Sequence, residues 1–394
     1  MTSALGLEDA QARLLALAPL LPLESVPVEA MLGRYLAEDL RAARTRPPAD
    51  LSAMDGYAVT PGNGPWHLIG ESRAGAPYPS QLAPGQCVRI STGAIVPQGA
   101  DRVLLQEDAV REGECIGASD LPAPGRHIRP RGFDFTAGDL LMTRGTRMTA
   151  GRIALALAGG HGKAMAARRL RVAVMDSGDE LSPDPAHCLP HQTPASNGAM
   201  IAAMLAPLGC EITQIGPVPD NRAALASALV EAEKADILVT SGGASVGDHD
   251  LIKPALAEWG AQIAFWKVAI KPGKPLLVAT RGQQVVLGLP GNPVSSFVTA
   301  FHFALPLVRA GLGDPAPLPC AVMMRAAEAL PEVGPRREFL RAVIEDGKAV
   351  RLAGSQDSSA LSALAVADAL IDRPAHAPPI GAGEMVPVFL LQNG

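Results

Sequence analysis

The chain has 394 residues, 48% of them apolar and 19% charged, with a formal net charge of −5. Such a length calls for two to four domains with separate cores, and such a composition for a folded chain. The acidic balance excludes a broad nucleic-acid surface, which would leave a basic footprint, and no run of 18 apolar residues free of charge or proline supports a membrane span.

No signal-peptide layout opens the chain, and the five cysteines (Cys87, Cys115, Cys188, Cys210 and Cys320) form no CxxC pair. Both features point to reduced thiols in a cytoplasmic protein. His187, Cys188 and His191 lie close together in a Pro-rich stretch, but their spacing fits no zinc pattern and they read as a loop.

Apolar residues at helical spacing over Leu7 to Leu17, continued at Ala30 to Leu32 after Pro27, predict that the opening stretch 1–40 is helical. From Thr45 to Gly145 short β-type runs (Gln86 to Ile90, Arg102 to Gln106, Leu140 to Met142) alternate with Pro and Gly clusters, and Ala150 to Gly159 returns to helix. A mostly β domain inserted in a helical one is expected. After Arg169 strands and helices alternate: strands at Leu170 to Met175, Glu211 to Ile215, Ile237 to Thr240 and Val285 to Leu289, and helices at Ser196 to Leu208, Asn221 to Lys234, Asp250 to Trp259 and from Pro293. That order predicts a parallel sheet with helices on both faces. Beyond Leu312, apolar runs broken by Pro and Gly predict a further β domain of about 80 residues.

Ligands of such a sheet bind at the carboxyl ends of its strands. Three segments fall there. Asp176 to Leu181 presents Asp179 and Glu180 around a glycine turn. Ser241 to Asp250, reading SGGASVGDHD, combines Gly242, Gly243, Ser245 and Gly247 in a loop whose N–H groups can approach a phosphate. Leu289 to Pro293 places Asn292 as a helix cap and Pro293 in the first turn, before Ser295. Of seven lysines in the whole chain, Lys253, Lys267, Lys271 and Lys274 fall in one short stretch, so point charges gather near these turns. Lys163, Lys234 and Lys348 read as solvated surface. Carboxylates beside an anion site call for a bridging cation such as Mg²⁺, with Asp179, Glu180, Asp220, Asp248 and Asp250 as candidates. Asp220 reads equally well as the N-cap of the helix that follows it. Loops around Asp55 and Thr92 combine polar groups with glycine, and nothing local shows that they reach the same site.

The ordered set SAMDGYA (Ser52 to Ala58), RISTGA (Arg89 to Ala94), RxxGxD (Arg129 to Asp134), SGDEL (Ser177 to Leu181), SGGASVGDHD, KPGKP (Lys271 to Pro275) and LPGNPVS (Leu289 to Ser295) resembles the molybdopterin molybdenumtransferases, the MoeA and gephyrin-type family. The resemblance runs from about Glu24 to Val388. It implies a multidomain α/β plus β fold: a split helical domain (1–44 and 138–168), an inserted β domain (45–137), a molybdopterin-binding α/β domain (169–312) and a small C-terminal β domain (313–394). It also implies a homodimer whose site is shared between subunits, and insertion of molybdenum from molybdate into adenylylated molybdopterin with Mg²⁺-dependent release of AMP. A molybdopterin adenylyltransferase would supply the adenylylated pterin.

The catalytic positions so implied are Asp55, Thr92, Asp134, Glu180, Asp220 and Asp250. Molybdate or phosphate would be held by Ser241, Gly242, Gly243, Ser245, Gly247, Lys267, Lys271, Lys274, Pro290, Gly291, Asn292, Pro293 and Ser295, and the metal by Asp179, Glu180 and Asp250. Ser177 stands where the family often has Thr, and the Pro-rich stretch Ser182 to Pro194 departs from the family pattern. Two rival readings use the same residues: a non-catalytic molybdopterin-binding or scaffold protein, and a nucleotide-cleaving hydrolase on the same α/β domain. Retained carboxylates weigh against the first, and the SAMDGYA and STGA segments against the second.

Overall fold

The computed structural model describes residues 4–242 and 251–391 of the chain. Its central sheet runs in the order Glu211–Val218, Arg171–Ser177, Ile237–Ser241, Gln284–Leu289, Leu277–Arg281, Gln262–Trp266. The first four strands are parallel, as predicted. The last two are antiparallel, because Leu277–Arg281 returns to Gln284–Leu289 through a tight hairpin and not through a helical crossover.

Side chains alternate across this sheet with period two. Val172, Val174, Ile237, Val239, Val285 and Leu287 face one core with the helix Asn197–Leu205 and the helical stretch from Pro293. Ala173, Met175, Leu238 and Val286 face the other core, under Arg222–Glu231 and Ile252–Glu258. The stretch from Pro293 to Gly311 is apolar for 19 residues, yet 83% of its most apolar window is buried inside the protein, as in a core helix.

The opening helix forms over Leu7–Leu15 only, and it plants Leu7, Ala10 and Leu14 in the α/β core. Leu23–Pro27 is a strand where helix was predicted. It pairs antiparallel with Lys163–Ala167, a partner far away in the chain that no local pattern announces. Leu40–Arg41 pairs likewise with Leu140–Met142, and the helix Ala150–Ala158 completes this small unit.

The inserted β segment carries a six-stranded sheet whose two faces bury Tyr57, Val59, Trp66 and Leu104 on one side and Ala58, Val88, Ile90 and Val103 on the other. The C-terminal sheet is also six-stranded, and one of its strands comes from outside the domain: Ile270–Lys271 pairs in parallel with the start of Arg337–Glu345. The KPGKP segment is thereby stitched to the C-terminal domain.

Candidate active site

A cleft of about 600 Å³ opens at the carboxyl ends of the parallel strands. It lies where strand order switches, Arg171–Ser177 having Glu211–Val218 on one side and Ile237–Ser241 on the other. Of the expected residues, Glu180, Asp220, Ser241, Gly242, Pro290, Gly291, Asn292, Pro293 and Ser295 all line it. Gly243, Ser245, Gly247, Asp248 and Asp250 lie outside the described residues.

The floor is built by side chains that the motifs alone did not single out. Asp176, on the last turns of its strand, is buried and accepts a hydrogen bond from the Gly198 N–H at 2.8 Å. Burial pushes its carboxyl above the ordinary range, against the pull of the Gly198 amide and the Ser241 hydroxyl. Asn197, the first residue of its helix, donates from Nδ2 to Ser241 Oγ at 2.8 Å and to the Gly291 carbonyl at 2.7 Å. One amide therefore ties two strand-end loops together. Gly242 sits at φ 95°, and a Cβ there would come 2.5 Å from the Ser177 carbonyl oxygen, so this first glycine of SGGASVG is required by close approach. Ser177 Oγ and Asn197 Oδ1 are buried without a hydrogen-bond partner among the described residues, which leaves polar atoms of the floor open to a ligand.

Carboxylates gather at one end. The Asp220 N–H donates to Asp179 Oδ1 at 2.9 Å. Asp220 is not the helix cap: Asn221 takes that place, accepting from the Ala224 N–H at 2.9 Å. Burial raises the Asp220 carboxyl above its usual range, and the charges of Asp179 and Glu180 raise it further. Among the described residues no three His, Cys, Asp or Glu side chains form a ready metal cluster.

The opposite wall is made by LPGNPVS and by the C-terminal domain. Pro293 begins the helix as expected, but Asn292 does not cap it with its side chain. Its Nδ2 donates instead to Ser358 Oγ at 2.9 Å, while the Val294 N–H donates to the Ser358 carbonyl. Ser359 and Leu361 thereby reach the cleft. The loop 354–358 is held in turn by the buried Arg341, whose guanidinium donates to the carbonyls of Ser355 and Asp357 at 2.6 and 3.0 Å.

Beyond Pro275 and Ser295, which it shares with the cleft, a second cavity of about 520 Å³ contains Lys271 and Lys274 together with Arg336, Glu338 and Ser358. Lys271 Nζ lies 2.9 Å from Glu338 Oε1, and Lys274 is exposed. Lys267 lines neither cavity. Its ammonium sits 4.0 Å from the centre of the Trp266 ring, a cation–π seat that it shares with Lys253.

In the Pro-rich stretch, Leu181–Ser182 pairs with Thr193–Pro194, so Thr193, Pro194, Ala195 and Ser196 form the rim of the cleft. Three expected residues lie elsewhere in the same chain. Asp55 Oδ1 accepts from the Thr92 N–H at 2.6 Å and from its hydroxyl at 3.0 Å, and those two bonds hold its carboxyl below the ordinary range. Asp134 faces Arg46 at 3.4 Å. None of the three lines the cleft of its own chain.

Three family models match successive parts of the chain. Residues 5–160 match the family model described as the MoeA N-terminal region (domain I and II), 173–310 the probable molybdopterin binding domain, and 324–391 the MoeA C-terminal region (domain IV). The chain is similar to the molybdopterin molybdenumtransferase of Haemophilus influenzae, 36% identical over 77% of each chain. It is similar as well to that of Bacillus subtilis, 32% identical over 94% of this chain and 90% of the relative. Among solved structures, the molybdopterin biosynthesis MoeA protein from Pyrococcus horikosii superposes with a TM-score of 0.85 over 99% of both chains, at 29% identity.

Proposed function

The chain belongs to the molybdopterin molybdenumtransferase family, as a transferase of molybdenum cofactor biosynthesis, and on that premise we propose how its cleft works. Adenylylated molybdopterin occupies the cleft at the strand ends, and molybdate enters from the cavity that holds Lys271 and Lys274. The observation that carries this reading is that two neighbouring cavities, one with carboxylates at its end and the other with lysines in its wall, share Pro275 and Ser295 in their linings.

The substrates are both anions, and holding them together in reacting geometry is the main work asked of the protein. Lys271 and Lys274 supply charge to the oxyanion, each charge-assisted bond contributing about 1.5 to 3 kcal/mol. Asn197, Ser241 and the 291–295 turn hold the shape of the pocket. The partnerless Ser177 hydroxyl and Asn197 carbonyl oxygen suit a polar ring or phosphate. Overall water cleaves the phosphoanhydride of the adenylylated pterin and AMP leaves, while two Mo–S bonds to the dithiolene replace two Mo–O bonds of molybdate, the departing oxygens taking up the thiol protons.

The residues fit Mg²⁺. Asp220 carries a raised carboxyl because it is partly buried and because Asp179 and Glu180 crowd it, and a bound cation would relieve that repulsion. Mg²⁺ commonly takes one or two carboxylates and completes its shell with substrate phosphates and water. One or two of Asp179, Glu180 and Asp220 would hold it, with Asp250 a further candidate and the remaining positions left to phosphate and water. When bound it would neutralise charge on the phosphate oxygens.

Asp55 and Thr92 are proposed to act on the cleft of a second subunit, which makes the working unit a homodimer. The Asp55 carboxylate, fixed by two bonds from Thr92, is ready to serve there, as is Asp134. A molybdopterin adenylyltransferase is the proposed donor of the pterin. All five cysteines are free, which suits a reducing cytoplasm. The test is to incubate the purified protein with adenylylated molybdopterin, Mg²⁺ and molybdate and to measure AMP and active cofactor. AMP release without molybdenum insertion would favour the hydrolase reading, and neither product would favour a binder.

A further inference from the structure

A third cavity, of about 580 Å³, shares no lining residue with the first two and lies where the N-terminal unit meets the α/β domain. Arg147 and Arg152 come from the N-terminal unit and Arg309 from the last turn of the helix Leu305–Gly311. Pro207, Leu208 and Pro315 give the same space an apolar side. We propose that this cavity is a binding site for an organic phosphomonoester, with guanidinium groups on the phosphate and the Pro and Leu side chains against its organic part.

Charge supports the proposal. Among the described residues the one carboxylate in the cavity, Asp314, is already engaged: Tyr35 Oη donates to its Oδ2 at 2.7 Å and the Ala316 N–H to its Oδ1 at 3.0 Å. Among the described residues, neither Arg147 nor Arg152 has a carboxylate within 4.0 Å. Among the described residues Arg152 donates only to the Arg147 carbonyl, at 2.6 Å. Arg152 also stands in the first turn of the helix Ala150–Ala158, where the helix dipole disfavours a cation. That turn has no acidic residue, and the Thr149 side chain makes no capping bond. An anion placed there would meet the guanidinium groups and the positive end of the helix together. Guanidinium matches phosphate oxygens in a bidentate fork, whereas the volume and the apolar side exceed what a bare phosphate fills.

The test uses the full chain and phenyl phosphate, titrated by calorimetry at low salt, with inorganic phosphate and phenol as companions. The parent should bind phenyl phosphate more tightly than inorganic phosphate, and phenol not at all. Arg147→Gln with Arg152→Gln should weaken phenyl phosphate tenfold or more, while Lys274→Ala keeps this binding. Arg152→Gln alone, on an exposed residue, carries the same test if the double variant folds poorly. Equal binding by parent and arginine variants overturns the proposal. So does loss of the same binding in Lys274→Ala, which would assign it to the cationic wall of the cleft. Phenol binding as tightly as phenyl phosphate would remove the role of the guanidinium groups.

Discussion

The amide of Gly198 donates to the buried carboxylate of Asp176, and a Cβ added at Gly198 would stand 2.6 Å from the accepting oxygen. Strand end and helix start are thus pressed together at the floor of the cleft. Gly198→Ala should cost about 1 to 3 kcal/mol of stability through overpacking. It should also loosen substrate binding, because Asn197 precedes it in the chain. Urea denaturation and pterin binding check both, and parent values in both would show that the helix start shifts freely.

Asp220 should titrate at lower pH when its neighbours are neutralised. Its raised carboxyl makes the folded state the stronger proton binder, so this group favours folding at pH below its unfolded pKa and loses that contribution as pH rises through the folded pKa. Glu180→Gln should move the Asp220 titration down, and saturating Mg²⁺ should do the same in the parent, as read by carboxyl ¹³C shifts. A titration that Mg²⁺ leaves in place would remove Asp220 from the metal site.

Asp55→Ala and Glu180→Ala subunits, each inactive alone, should regain activity when mixed. In a shared-site homodimer the mixed pair keeps one cleft with both carboxylates. Mixed dimers shown to form yet inactive would place both residues in the cleft of one chain.

Lys274→Ala should weaken molybdate binding about tenfold or more, equivalent to about 1.4 kcal/mol, with stability unchanged. Lys271→Ala should weaken it similarly and also destabilise the fold by up to about 1 kcal/mol, because Glu338 loses its partner. Parent affinity in both variants at constant salt would move the oxyanion elsewhere.

His302 is fully buried, stacked 4.1 Å from the Phe339 ring, and both its ring nitrogens lack partners among the described residues. Burial holds it down to about 3, with Arg337 adding to the effect. The unfolded chain therefore binds a proton that the fold refuses, and this group's stability is present above about pH 6.5 and lost as pH falls toward 3. His302→Leu should flatten the fall of stability between pH 6 and 4, measured by denaturation at stepped pH. An unchanged slope would assign the acid sensitivity to other groups.

Much of the site was legible before the fold was known, because glycine, proline and acidic residues at strand ends announce turns whatever the tertiary context. Glu180, Ser241 and the 290–295 turn, which line the candidate cleft, were singled out that way. Asp176 was quoted within its motif but not singled out, since a carboxylate inside an apolar strand reads as part of the turn after it. Asn197 offered little signal: an Asn at a helix start is ordinary, and its two partners, Ser241 and Gly291, lie far along the chain. The side-chain role of Asn292 was misread as a cap because Ser358 belongs to another domain. Leu23–Pro27 failed for the same reason, its strand partner being non-local.

The pairing of Ile270–Lys271 with the start of Arg337–Glu345 means that the α/β unit does not own its cationic wall. Strand hydrogen bonds lock the lysine segment to the C-terminal sheet, and the opening helix is packed beneath the other end of the same region through Leu5, whose N–H donates to the Lys267 carbonyl. An excised 169–312 fragment would lose the scaffold that fixes its lysines, and with it the core contributions of Leu7, Leu14 and Phe339. Any rotation of the C-terminal sheet would carry Lys271 toward or away from the cleft, so the distance from the lysine wall to the strand ends is a coordinate of domain posture.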